Sequence, residues 1–239
     1  MENTLYIALS RQTSLRRQVE MIAHNLANAT TPAFKAERIM FAELVQNSVP
    51  GERMSYVTDM AAVLDMREGE LKSTGNPLDL AINGDGFFVV RTPEGSRYTR
   101  NGQFRLDADG TVVTGGGHAV LGETGQPIAI PPGDSQVEVG RDGHVASESG
   151  PIGRLSIVRF EAPENLEPVS GGLYRALSPA IPAPEAVVAQ GMTELSNVQP
   201  VLETTALIEA SRTYQALQRL IDNEHERQLK AISVLTGTQ

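Results

Sequence analysis

Cysteine is absent from all 239 residues, so the chain can form no disulfide and offers no thiolate for catalysis or for a Cys-based zinc site. Tryptophan is absent as well, and aromatic residues make up only 5% of the sequence, so the expected core is aliphatic. No uninterrupted apolar run approaches the ~18 residues that a membrane-spanning helix needs, which argues against membrane insertion. The opening MENTLYIALSRQTSLRR has an acid where a signal peptide wants bases, and Ser, Arg and Gln interrupt its apolar residues. A cleavable signal is therefore not expected, and work outside the cytoplasm would require another exporter. Basic charge is also scarce. The formal net charge is −9, with no Lys/Arg cluster able to neutralise a run of phosphates, so no nucleic-acid partner is expected. The small group Arg11, Arg16 and Arg17 reads as a helix flank.

What the chain does contain is 22 glycines and 14 prolines, a turn-rich composition that suits a β-domain better than a large helical enzyme. Its charge is unevenly spread. Residues 1–60 hold six basic and six acidic side chains, residues 61–190 ten and seventeen, and residues 191–239 four and six. Near-neutral ends can pack against other chains with little repulsion, while an acidic middle stays solvated.

Both ends are periodic. Leu5, Ala8, Gln12, Leu15, Val19, Ile22 and Leu26 alternate spacings of three and four, a heptad stripe on a helix that Asn28, Thr31 and Pro32 bring to an end. Near the other terminus Leu207, Ala210, Tyr214, Leu217 and Ile221 repeat the spacing, after a turn around Ser196, Asn197 and Pro200. Each stripe includes small or polar residues. Two buried arrangements remain open on these residues alone: a helical hairpin within one monomer, or helices packed among many copies.

The middle reads as short strands. Asn101-Gly102, between Tyr98-Thr99-Arg100 and Gln103-Phe104-Arg105-Leu106, predicts a tight hairpin. Further turns are expected at Pro93-Glu94-Gly95, Asp109-Gly110, Thr124-Gly125 and Asp142-Gly143, around runs such as Phe87-Phe88-Val89-Val90. The fold class is α+β, a mainly β central domain inserted between N- and C-terminal coiled-coil-forming helices. Its domains are residues 1–35 with 196–239 as a helical polymerisation domain, 36–75 as an extended connector without a convincing period, and 76–190 as the β-rich domain. Pro179, Pro182 and Pro184 mark residues 178–190 as an extended link.

Catalytic and ligand-binding motifs are incomplete. Asp107-Ala-Asp109-Gly110 starts like a calcium loop, yet Val112 stands where the glycine belongs and His118 where the final Glu belongs, so a hairpin turn is expected. Gly84-Asp85-Gly86 lacks a third glycine, and Gly115-Gly116-Gly117 is not followed by Lys-Ser/Thr. His24, His118, His144 and His225 are scattered. No catalytic residue, cofactor site or metal site is assigned.

The segment Ile22-Ala-His-Asn25-Leu-Ala-Asn28-Ala-Thr-Thr31-Pro32-Ala-Phe34-Lys35 closely resembles the N-terminal signature of flagellar rod and hook axial proteins, with Ala33 in place of the usual glycine. The likeness continues through Gly69-Glu-Leu71, Thr74 to Ile82, Gly84 to Phe88 and Tyr98 to Phe104, and returns at Gly191, Leu195 to Val198 and Pro200. It implies a non-enzymatic axial subunit of the basal-body rod, of the proximal-rod type. The stripe residues would then be subunit contacts, and Asn25, Asn28, Thr31, Pro32, Phe34 and Lys35 the family turn. Implied partners are other rod subunits, further copies of the chain and the flagellar type III export apparatus; the implied location is the periplasmic rod. A distal-rod or hook-type protein is the near alternative. A cell-wall-acting β-domain enzyme and a monomeric adaptor are the alternatives of other classes.

Overall fold

Proline at position 32 cannot continue a helix on steric grounds, asparagine at 28 favours turn geometry through its side-chain hydrogen bonds, and the first helix does end just before them. In the computed structural model, which describes residues 2–49, 52–134 and 136–236, helix α1 runs over Glu2–Ala27 and helix α2 over Pro200–Thr236. Proline opens α2 at the position where its missing N–H costs nothing. The lengths correspond to about 39 and 55 Å at ~1.5 Å per residue. Between them lie β1 (Glu37–Val49), β2 (Glu52–Leu64), β3 (Leu71–Ser73), β4 (Leu80–Asn83), β5 (Phe87–Thr92), β6 (Gly95–Thr99), β7 (Phe104–Leu106), β8 (Val112–Thr114) and β9 (Ala119–Val120). There follow β10 (Val137–Val139), β11 (His144–Ser147), β12 (Gly150–Arg154), β13 (Ile157–Arg159), β14 (Glu167–Val169), β15 (Leu173–Arg175), β16 (Ile181–Pro182), β17 (Val187–Gln190) and β18 (Met192–Glu194).

The chain divides into two compact units. A helical unit comprises Met1–Ala27, Glu37–Val63 and Gln199–Gln239; a β unit comprises Asn28–Ala36 and Leu64–Val198. These bounds replace the expected ones at two places. Residues 36–75, expected as an extended connector, hold β1 and β2, which pair with each other as two long strands. The β unit also extends past 76–190 in both directions and draws in residues 28–36. The proline-rich 178–190 contributes strands too: β16 pairs with β13, and β17 with β4.

In the β unit, the largest sheet runs in the order β14-β15-β6-β5-β9-β8-β7 and is antiparallel throughout. Strand β5 lies inside it and is buried on both faces, which explains its unbroken Phe87-Phe88-Val89-Val90 run. Side chains alternate across a strand, so Phe88 and Val90 enter one core and Phe87 another. The first core is mainly aliphatic, with Phe88 edge-on to Phe104 at 5.1 Å between ring centres. The second gathers aromatics: Phe160 lies edge-on to Phe87 at 5.7 Å and to Tyr98 at 4.8 Å. An aliphatic core was expected throughout; Phe87, Tyr98, Phe160 and Tyr174 instead gather on this second face.

The hairpin expected at Asn101-Gly102 does not form. β6 pairs with β5 and β15, while β7 pairs with β8. Gly102 serves a close approach. Its carbonyl accepts from Leu80 N at 2.9 Å, and a Cβ there would lie 1.6 Å from the Leu80 carbonyl oxygen. The Asp107 to Gly110 stretch is the turn between β7 and β8; Asp107 Oδ1 accepts from the N–H groups of Asp109 at 3.0 Å and Thr111 at 2.8 Å.

Candidate functional site

The two helices pack against each other within the helical unit. Gln12, central in the first stripe, donates to the Tyr214 hydroxyl at 3.4 Å and to the Gln218 side-chain oxygen. Ile22 and Ala210 are buried, and Leu15, Val19, Leu26, Leu207, Tyr214, Leu217 and Ile221 are half-buried. The side chains of Leu5 and Ala8 lie outside the described residues. Other apolar side chains remain open to solvent: Val201 at 78% exposure, Leu202 at 63%, Leu220 at 55%, Leu229 at 53%, Ile208 at 48% and Leu9 at 44%. The heptad reading missed all six. Their signal was present in the sequence as apolar residues lying off the stripe.

The turn motif that follows α1 is organised by its side chains. Asn25 is buried, and its amide both donates to the Glu37 carbonyl and accepts from the Glu37 N–H, each at 2.9 Å, as a neighbouring strand would. Asn28 accepts from the Thr31 hydroxyl at 3.1 Å and, through its carbonyl, from the Thr31 N–H at 3.0 Å. Pro32 and Phe34 are half-buried. Ala33, standing where the resemblance leads one to expect glycine, has φ of 56°, a left-handed conformation that costs an L-residue roughly 1–2 kcal/mol.

Lys35 then enters the interior of the β unit. Its side chain is 1% exposed, and its ammonium donates to Glu194 Oε1 at 2.7 Å and to the Arg67 carbonyl at 2.7 Å. Glu194, equally buried on β18, also accepts from Gly69 N at 2.9 Å and, on its other oxygen, from Arg100 Nε at 3.0 Å. Arg100 completes its set at the carbonyls of Gly84 and Gly86, both 2.7 Å away, and lies 3.5 Å from Glu68. Burial pushes the Lys35 ammonium below its ordinary value; Glu194 pulls it back up, and Arg100 pushes it further down. Asn197 closes the arrangement, accepting from Ala36 N at 2.8 Å and donating to the carbonyls of Asp65 at 2.7 Å and Arg67 at 2.9 Å.

This ionic node joins segments that the sequence reading noted separately. The turn after α1, Gly69, the Gly84 to Gly86 bend, Arg100 and the strand leading toward α2 all meet there. Glu194 was not singled out beforehand, and no local pattern marks it. A cleft of about 240 Å³ reaches the node, lined by Lys35, Phe87, Arg100, Phe160 and the exposed Asp85, Arg159 and Glu161. Its two buried cations are already committed to Glu194. Among the described residues no cluster of His, Asp or Glu could hold a metal ion, and no helix is long and apolar enough to cross a membrane.

Paired helices from the two chain ends with a mainly β unit between them in sequence bear out the expected α+β fold, and comparison with known families says which class of protein carries it. Residues 5–35 match the flagella basal body rod protein family, residues 81–147 the flagellar hook protein FlgE/F/G D1 domain, and residues 189–234 the flagellar basal body rod FlgEFG protein C-terminal family. The flagellar basal-body rod protein FlgF of Caulobacter vibrioides is 38% identical over 98% of both chains. FlgF of Mesorhizobium japonicum is 34% identical over 97% of this chain and 98% of that relative, and FlgG of Bacillus subtilis 30% over 95% and 96%. The chain belongs to the flagellar basal-body rod protein family typified by FlgF.

Proposed function

We propose that the chain is a non-enzymatic axial subunit of the proximal rod, polymerising with other rod subunits and with itself through its terminal helices to form a shaft that transmits torque. The observation that carries this reading is the set of open apolar side chains on the paired helices, headed by Val201 and Leu202. Apolar surface of this kind contributes free energy on burial at roughly 25 cal/mol per Å², and a helix pair that leaves it in water is suited to further helices. Identities of 38%, 34% and 33% to three FlgF-named relatives support the proximal assignment.

Assembly outside the cytoplasm through the flagellar type III apparatus belongs to the same reading, as does the role of the helix stripes as contact surfaces. The test is a clean deletion examined for motility and for the composition of isolated basal bodies. Loss of swimming, with rods that stop short and regrow when the chain is supplied, is expected. Normal swimming without the chain would overturn the proposal, and its recovery only next to the hook would move it to the distal rod.

A further inference from the structure

The β unit is built from two pieces of chain, Asn28–Ala36 and Leu64–Val198, and its two ends hold each other in place. Ala33 N donates to the Glu194 carbonyl at 2.8 Å, Ala36 N to the Asn197 side chain at 2.8 Å, and Asn197 N to the Phe34 carbonyl at 3.3 Å. Lys35 crosses the same boundary to Glu194. From the other side, β18 pairs with β3 in the register Met192 to Ser73 and Glu194 to Leu71. Leu195 N donates to the Glu70 carbonyl at 2.8 Å. Gly69 lets the strands come this close, since a Cβ there would lie 1.9 Å from the Leu195 carbonyl oxygen.

The two buried cations differ in what they need. Arg100 keeps a second carboxylate, Glu68 at 3.5 Å, besides the carbonyls of Gly84 and Gly86, whether or not β18 is docked. Lys35 has one neutral carbonyl and one carboxylate, and the carboxylate comes from β18. A buried ammonium without a counter-charge is strongly disfavoured and stays in water instead. Docking of residues 28–36 is thereby conditional on the arrival of Glu194, although 159 residues separate Lys35 from it.

We propose that residues 28–36 and 191–198 form a latch that closes as one cooperative step, so that the start of the β unit is admitted to the interior only when the segment just before α2 has docked. The inner strands β5, β8 and β9 make their ladders without either segment and form the more stable part of the unit. The latch is a completeness check on the chain. A chain still lacking its last fifty or so residues keeps Lys35 and the turn after α1 in solvent.

Native-state hydrogen exchange on the full chain tests this. The amides of Ala33, Ala36, Gly69 and Leu195 should share one opening free energy and one denaturant slope, below those of β5 and β9. Glu194→Gln should accelerate all four together by about 100-fold or more, while β5 and β9 keep their slow exchange. On a Lys35→Met background the same substitution should accelerate them by about tenfold or less, because only Arg100 then loses a partner and it keeps Glu68. If Glu194→Gln prevents folding, Asn197→Ala provides the milder probe and should loosen the same four amides jointly. Ala33 and Ala36 keeping their protection while Leu195 loses it, or equal effects with and without Lys35, would overturn the latch.

Discussion

Leu202 and Leu217 both lie on α2, but the first is 63% exposed while the second is half-buried in a unit where α2 packs on α1. An aspartate at position 202 meets mainly water in the free chain, so Leu202→Asp should change monomer stability by no more than about 0.5 kcal/mol. In an assembled rod the same position would be covered. Burying a leucine contributes roughly 1.5–3 kcal/mol, of which about two thirds is still available at this exposure, and an unpaired carboxylate there costs several kcal/mol more. The sum, about 4 kcal/mol, is close to a 1,000-fold loss at each contact. Leu217→Asp should behave differently, lowering the stability of the helix pair by about 2–4 kcal/mol before any assembly. The assay compares helical circular dichroism melts of both purified variants with motility and rod incorporation. A Leu202→Asp strain that swims normally would refute the idea that this open face is covered in the rod. A Leu217→Asp melt indistinguishable from the parent would refute the packing of the two stripes within one chain.

Gly102→Ala should cost about 3 kcal/mol, because the new methyl meets the Leu80 carbonyl, whereas Gly115→Ala, with open space around it, should stay within about 0.5 kcal/mol; equal urea midpoints would refute the close approach. Thr193 is 4% exposed and its hydroxyl has no partner among the described residues, so Thr193→Val should raise stability by about 1–2 kcal/mol, and a lower melting temperature would show that the hydroxyl is satisfied. Because the folded value of Lys35 lies below 10.5, the unfolded chain binds more protons between that lowered value and 10.5, and the contribution of Lys35 to stability rises with pH across this window. Urea unfolding of the parent minus Lys35→Met should therefore show a positive slope there, and a flat or falling difference would count against burial as the dominant influence.

The helices, the turns that bound them, the turn at Asp107 to Gly110 and the strand at Phe87-Phe88-Val89-Val90 were legible from residue order, since each rests on backbone sterics or periodicity acting over a few positions. So was the family, because its turn motif is local. Tertiary structure decided the rest. Asn101-Gly102 has hairpin chemistry, yet the approach of Leu80 takes precedence over it. Glu37–Val49 and Glu52–Leu64 showed no helical or strand period but form two long strands because each supplies the other's backbone partners. Lys35 reads locally as a surface cation; it is interior because Glu194, far along the chain, neutralises it, and no pattern at either position announces the other. What covers the α2 stripe was equally undetermined until α1 lay beside it, since burial is a property of pairs of surfaces, whereas periodicity describes only one.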